Sequence, residues 1–170
     1  DFATMKILGL PGQNQSTGPW MEEVLRTIER AGSTRHTQCY EFWDQADSGL
    51  DDIRELERAS EFDPELIVAK SLGTILASRG IHQGELSPKH CVFIGIPVGS
   101  LNEAARTIFD GWGDTGIDSL FIQQSHDRTG GFRQLCDLLP SAPNCTTVEV
   151  AGEDHMYTDV MEIGKIVNAW

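Results

Sequence analysis

What the chain has little of narrows its reading first. Only four of its 170 residues are cysteine (Cys39, Cys91, Cys136 and Cys145), and none shows C-x-x-C or metal-finger spacing. A free cysteine beside apolar segments behaves as a small buried hydrophobe, so a reduced, cytoplasmic protein is the expectation. No stretch approaches the ~18–20 consecutive apolar residues of a membrane span, and the first ten residues lack the basic and apolar regions of a secretory signal. Positive charge is scarce as well. Thirteen Lys and Arg stand against twenty-six Asp and Glu, a formal charge of −13. Nucleic acid and anionic membranes bind through basic patches, so neither is an expected partner. Repeats, low-complexity tracts and long linkers are also missing. With 39% hydrophobic residues, one domain with one buried core is expected over 1–170. Asp1 to Thr4, ahead of Met5, read as a short leader or an expression remnant. The oligomeric state is left open.

What is present is an alternation of apolar runs and helical patterns. Strands are expected at 5–10, 37–43, 66–70, 91–96, 119–123 and 146–150. Helices are expected near 19–31, 50–59, 72–81, 101–109, 131–138 and 157–170. In the first helix Trp20, Val24 and Ile28, with Met21 and Leu25, make one apolar face, and Gly32 is placed to end it. The runs 66–69 and 92–96 are continuously apolar, the mark of strands covered on both faces in a parallel sheet. Repeated βα units then give a three-layer α/β/α domain with right-handed crossovers. Any site belongs in the loops at the carboxyl ends of its strands.

One such loop joins strand to helix through Ala69-Lys70-Ser71-Leu72-Gly73. This is the G-x-S-x-G nucleophile elbow with Ala for the first Gly. A serine held in a sharp, strained turn needs small residues two places before and two after it. The same turn puts the Leu72 N–H at a helix start, where an oxyanion would form. Ser71 also reads as an ordinary N-cap, and Lys70 as a solvated or packed neighbour with no catalytic role.

A nucleophilic serine needs a base, and the base needs an orienting acid. Asp127 follows the strand at 119–123, and His155 follows the strand at 146–150. The order Ser, Asp, His and the sheet edge both fit. Asp127 reads alternatively as a cap for the next helix, and His155 as a surface histidine. Glu153 and Asp154 are rival acids, too close in sequence to reach back to the ring, and His126 is the second-choice base. His36, His82 and His90 fall on the opposite edge.

These segments, with Ile7 to Gly12 as a strand and glycine loop, resemble the α/β-hydrolase superfamily over most of the chain. More narrowly they are similar to small, capless serine hydrolases of the retinoblastoma-binding-protein-like type. The resemblance implies Ser71 as nucleophile, His155 as base and then acid, and Asp127 as orienting carboxylate. It also implies an oxyanion hole made by the N–H groups of Leu72 and Gln13. The family's usual histidine before the loop glycine is Pro11 here. The family's leading antiparallel hairpin is missing, which leaves six strands in the order 2-1-3-4-5-6. With no helical cap between 96 and 117 the site is expected to be open, with Gly12, Val98, Leu101 and Trp112 at its walls.

The expected activity is carboxylesterase-like: hydrolysis of a small ester, thioester or amide through an acyl-enzyme, with no metal or organic cofactor. The glycine loop carries neither G-x-G-x-x-G nor G-K-[ST], which disfavours a nucleotide cradle and, with it, a flavodoxin-like binder. The remaining alternative is a non-catalytic protein- or ligand-binding module on the same scaffold.

Overall fold

The computed structural model describes residues 5–45 and 47–170; the leader expected at 1–4 lies outside them. Six parallel strands, β1 (Lys6–Leu10), β2 (Thr34–Thr37), β3 (Leu66–Lys70), β4 (His90–Ile94), β5 (Asp118–Gln124) and β6 (Cys145–Val150), form one sheet. Their order is β2-β1-β3-β4-β5-β6, as expected. The helices are α1 (Thr17–Thr27), α2 (Asp52–Phe62), α3 (Leu72–His82), α4 (Glu103–Asp110), α5 (Phe132–Leu138) and α6 (Val160–Ala169).

Alternating side chains of the central strands feed two cores. Ile7, Leu66, Val68, Val92, Ile94, Leu120 and Ile122 pack under α1 and α6 through Met21, Val24, Leu25, Ile163 and Val167. Leu8, Leu10, Ile67, Ala69, Phe93 and Phe121 face α2, α3, α4 and α5 through residues such as Leu56, Leu76, Phe109 and Leu135. All five residues of β3 are buried, which accounts for its continuous apolar run. Side-chain caps start the helices where loops deliver them: Asp51, Asn102 and Asp159 accept the N–H groups of Arg54, Ala105 and Glu162.

Two expectations near the amino terminus are corrected. The second strand is not at 37–43 but at Thr34–Thr37, an exposed edge strand paired only with β1. Tyr40, Phe42 and Trp43 look strand-like by composition, yet they cluster around a 3-10 turn at Glu41–Asp44, with Tyr40 stacked on Phe42 and Trp43 edge-on to both. The first helix stops at Thr27 rather than at Gly32. The Arg35 guanidinium takes the carbonyls of Leu25 and Ile28 at 3.0 and 2.6 Å, capping the helix end from β2. Gly32, at φ 80°, serves the turn into β2 instead.

The chain connects β1 to β2 in one direction and leads on to β3 in the other. The crevice between the carboxyl ends of β1 and β3 is therefore the topological switch point, where α/β sheets bind ligands.

Candidate active site

Ser71 sits at that switch point with φ 49° and ψ −111°, between the end of β3 and the first residue of α3. Few side chains tolerate such a backbone, and it persists only where its surroundings over-determine it. Here the Ser71 N–H donates to the Ile94 carbonyl at 3.1 Å, and the Ser71 carbonyl accepts from Thr74 N–H at 2.9 Å. Its side chain makes no cap bond to α3, so the N-cap alternative does not describe its hydroxyl. Gly73 meets the turn's packing demand, since a Cβ there would stand 2.0 Å from the Leu10 carbonyl oxygen. Ala69, the other small position, is fully buried.

The Ser71 Oγ lies 2.8 Å from His155 Nε2, and His155 Nδ1 lies 2.8 Å from Asp127 Oδ2. Ser71, His155 and Asp127, placed together from the sequence, thus form one hydrogen-bonded chain. His155 itself has φ 67°, and its N–H is pinned by Gln124 Oε1 at 2.9 Å. Beneath the ring is Gly95, also at positive φ, where a Cβ would crowd His155 and Tyr157.

Asp127 is not a helix cap; α5 begins after Gly131. Oδ1 of Asp127 accepts the Thr129 N–H at 2.9 Å and hydroxyl at 2.8 Å, while Oδ2 accepts the Tyr157 hydroxyl at 2.8 Å beside His155. Burial would push this carboxyl up. The hydrogen bonds from His155, Thr129 and Tyr157 outweigh it and hold the group down at about 2. Asp154, the rival acid, accepts instead from Gln124 and the Met156 N–H. His126 is exposed and outside the chain of contacts.

Three groups escaped the sequence reading. Tyr157 and Thr129 each lie two residues beyond a predicted site residue, so D-x-T and H-x-Y were the available signals. Lys70 is the third. It is buried, with Nζ 3.3 Å from His155 Nε2 and 5.3 Å from the centre of the Tyr157 ring.

The loop after β1 is held by three outside donors. The carbonyls of Pro11, Asn14 and Gln13 accept from Tyr40 hydroxyl at 2.5 Å, Thr17 Oγ1 at 2.6 Å and Trp43 Nε1 at 2.8 Å, and the Gly12 carbonyl faces the same Thr17 Oγ1 at 3.2 Å. A trans peptide sets C=O and N–H on opposite sides, so with the Gly12 carbonyl directed at Thr17 Oγ1 the Gln13 N–H points the other way. The loop lies against the serine: a Cβ on Gly12 would be 3.7 Å from Ser71 Cβ. The Leu72 N–H, at the first helical position, lacks a carbonyl one turn back within α3.

The wall residues fare less well. Trp112 is fully buried at the opposite end of the sheet, stacked on Phe109 and edge-on to Phe93, with Nε1 on Ser119 Oγ at 2.8 Å. It belongs to the core because its loop enters β5 at the amino edge. Val98 and Leu101 follow β4 on the site's edge but are buried. Val98 packs beneath Gly130, and the neighbouring Gly99 N–H donates to the Thr129 carbonyl at 2.7 Å, so this segment braces the Asp127 loop. Residues 95–117 hold two short 3-10 turns and α4.

Solved structures share this architecture. An esterase domain from Rhodothermus marinus aligns over 100% of this chain and 88% of its own, with TM-score 0.66 and 14% identity. An α/β hydrolase enzyme from a lagoon-sediment metagenome aligns over 98% of this chain and 90% of its own, with TM-score 0.59 and 13% identity. The chain has the α/β-hydrolase fold. A haloalkane dehalogenase loop variant from Bradyrhizobium elkanii is another neighbour on it, with TM-score 0.64 and 13% identity over 98% of this chain and 88% of that one. No protein-family model matches the sequence, and no curated protein matches it significantly. On this fold Ser71 stands on the turn between β3 and α3, and Asp127 and His155 lie in the loops after β5 and β6.

Proposed function

We propose that the protein is a serine hydrolase acting on a small acyl substrate. The observation that carries this reading is the pair of 2.8 Å contacts linking Ser71 Oγ, His155 and Asp127, with the serine on a positive-φ turn. Neighbours of the same fold that are named as esterase and α/β hydrolase support it.

His155, with Nδ1–H directed to Asp127, leaves Nε2 free to accept the Ser71 proton. As Ser71 Oγ bonds to the carbonyl carbon, Asp127 stabilises the imidazolium. In this reading the Leu72 and Gln13 N–H groups receive the oxyanion, and losing one such donor typically costs ~10²–10³ in turnover. The imidazolium then protonates the leaving group, and water releases the acyl-enzyme through the same base. An ester is the first substrate class to try, because its leaving group departs more readily than an amine.

Fluorophosphonate labelling with peptide mapping tests the reading. The label is expected on Ser71, absent in Ser71→Ala, and slowed ~10²–10⁴-fold in Asp127→Asn. Labelling that persists in Ser71→Ala would refute it. A folded protein that neither labels nor hydrolyses p-nitrophenyl esters of graded chain length would instead favour a binding module.

A further inference from the structure

Among the described residues Lys70 is the only buried lysine or arginine, and none of their carboxylates lies within ion-pairing distance of it. An ammonium carries three donors and no acceptor. Here Nζ has one hydrogen-bonding neighbour, His155 Nε2 at 3.3 Å, and the face of Tyr157. The same Nε2 already accepts from Ser71 Oγ at 2.8 Å. A neutral imidazole nitrogen has one lone pair, so an ammonium at Lys70 competes with the serine for it. Once Nε2 is protonated, an ammonium at this distance faces a second cation in a site largely shielded from water, an arrangement that is strongly unfavourable. An unprotonated amine reverses both effects: its own lone pair can accept the Nε2–H.

We propose that Lys70 is a further catalytic residue, acting as a neutral amine that accepts a hydrogen bond from His155 Nε2–H while the imidazolium exists. This rests on Ser71 being the nucleophile. In the step concerned, Ser71 Oγ bonds to the acyl carbon, the carbonyl electron pair moves onto its oxygen, and the hydroxyl proton moves to Nε2. Lys70 takes a hydrogen bond from that proton, and the coupled pair shares it. When the carbonyl re-forms and the bond to the leaving group breaks, the same proton passes from Nε2 to the departing atom. The productive resting site is therefore the one with Lys70 as the neutral amine and His155 Nε2 unprotonated.

The charged and titratable groups facing Nζ are Asp127 and Arg128 from the loop after β5, and Asp154, His155 and Tyr157 from the loop after β6. Burial lowers the ammonium to about 8, a fall that Asp127 and Asp154 resist and Arg128 assists. The neutral amine is thus reached in mildly alkaline solution. A like-charge neighbour of this kind is a recognised way for a fold to set the protonation of a catalytic pair.

The test is the rate of fluorophosphonate labelling of Ser71 as a function of pH. In the wild type the rate should rise through about 8. In Lys70→Met the acid limb should move to lower pH by about one unit or more, with labelling faster than wild type at neutral pH and slower than wild type above about 8, where the amine acts. Lys70→Arg cannot shed its proton and should label slowly at every pH. An acid limb that is unmoved or raised in Lys70→Met overturns the proposal, and so does labelling of that variant that is no slower than wild type above about 8. So does a wild-type profile without an inflection near 8, which needs no variant to fold. A label mapping away from Ser71 overturns the nucleophile reading as well, whereas a label on Ser71 whose pH profile ignores Lys70 overturns this proposal alone.

Discussion

The Tyr157 hydroxyl donates to Asp127 Oδ2 at 2.8 Å and accepts the Gln124 N–H at the same distance. One phenol thereby links the carboxylate that holds His155 to the end of β5. Burial pushes this phenol up, away from ionisation, so it remains a donor across the working range. Tyr157→Phe leaves Gln124 N–H without its acceptor and removes one of the bonds that depress Asp127. A loss of ~1–3 kcal/mol is expected from the unpaired buried group, read by urea denaturation.

The acid side of the stability curve follows from the same carboxylate. Asp127 is held at about 2 in the folded protein, below its ordinary 3.8. Between those values the unfolded chain binds the proton that the folded chain refuses, so stability falls as pH drops through that window. Tyr157→Phe should narrow the window from below, and denaturation midpoints measured from pH 5 downward would detect it. Unchanged acid sensitivity would mean that Thr129 and His155 alone hold the carboxylate.

Trp43 and Tyr40 anchor the loop bearing the Gln13 N–H. Trp43→Phe retains most of the packing but loses the indole donor. The expected outcome is labelling of Ser71 slowed ~10-fold, short of the ~10²–10³ for an oxyanion donor removed outright, with little change in stability. Labelling at the wild-type rate would show that Tyr40 and Thr17 suffice.

The elbow's two small positions are unequal. Gly73→Ala drives a Cβ into the Leu10 carbonyl, backbone that has no room to yield. It should destabilise by several kcal/mol, beyond the ~1–3 of ordinary overpacking, and abolish labelling. Ala69→Gly should cost only ~0.5–1 kcal/mol and keep the label. Trp112→Phe, remote from Ser71, should lower the melting temperature and leave the labelling rate of the folded protein unchanged.

The site's legibility in the sequence was uneven for physical reasons. Ser71, Asp127 and His155 stand at strand ends, and apolar runs mark strand ends well when both faces of the sheet are covered. β2 was misplaced because it is an edge strand of Thr34, Arg35, His36 and Thr37 with almost nothing buried, while the aromatic residues beyond it serve the loop after β1. Trp112 was misassigned because a large aromatic residue near a loop looks the same in sequence whether it faces a ligand or a core. Lys70 was set aside because lysine usually seeks water. Only the folded sheet reveals that its chain runs inward to His155.

The contact between Gly73 and Leu10 has a consequence for how the molecule comes into being. The serine's turn is bounded by the carboxyl end of β1 on one side and by Ile94, the buried last residue of β4, on the other. Neither neighbour is adjacent in the chain. During refolding, the unusual Ser71 backbone can be acquired only after both flanking strands have docked on β3. Recovery of fluorophosphonate reactivity should accordingly follow the burial of the sheet and never precede it, making Ser71 a reporter of complete assembly.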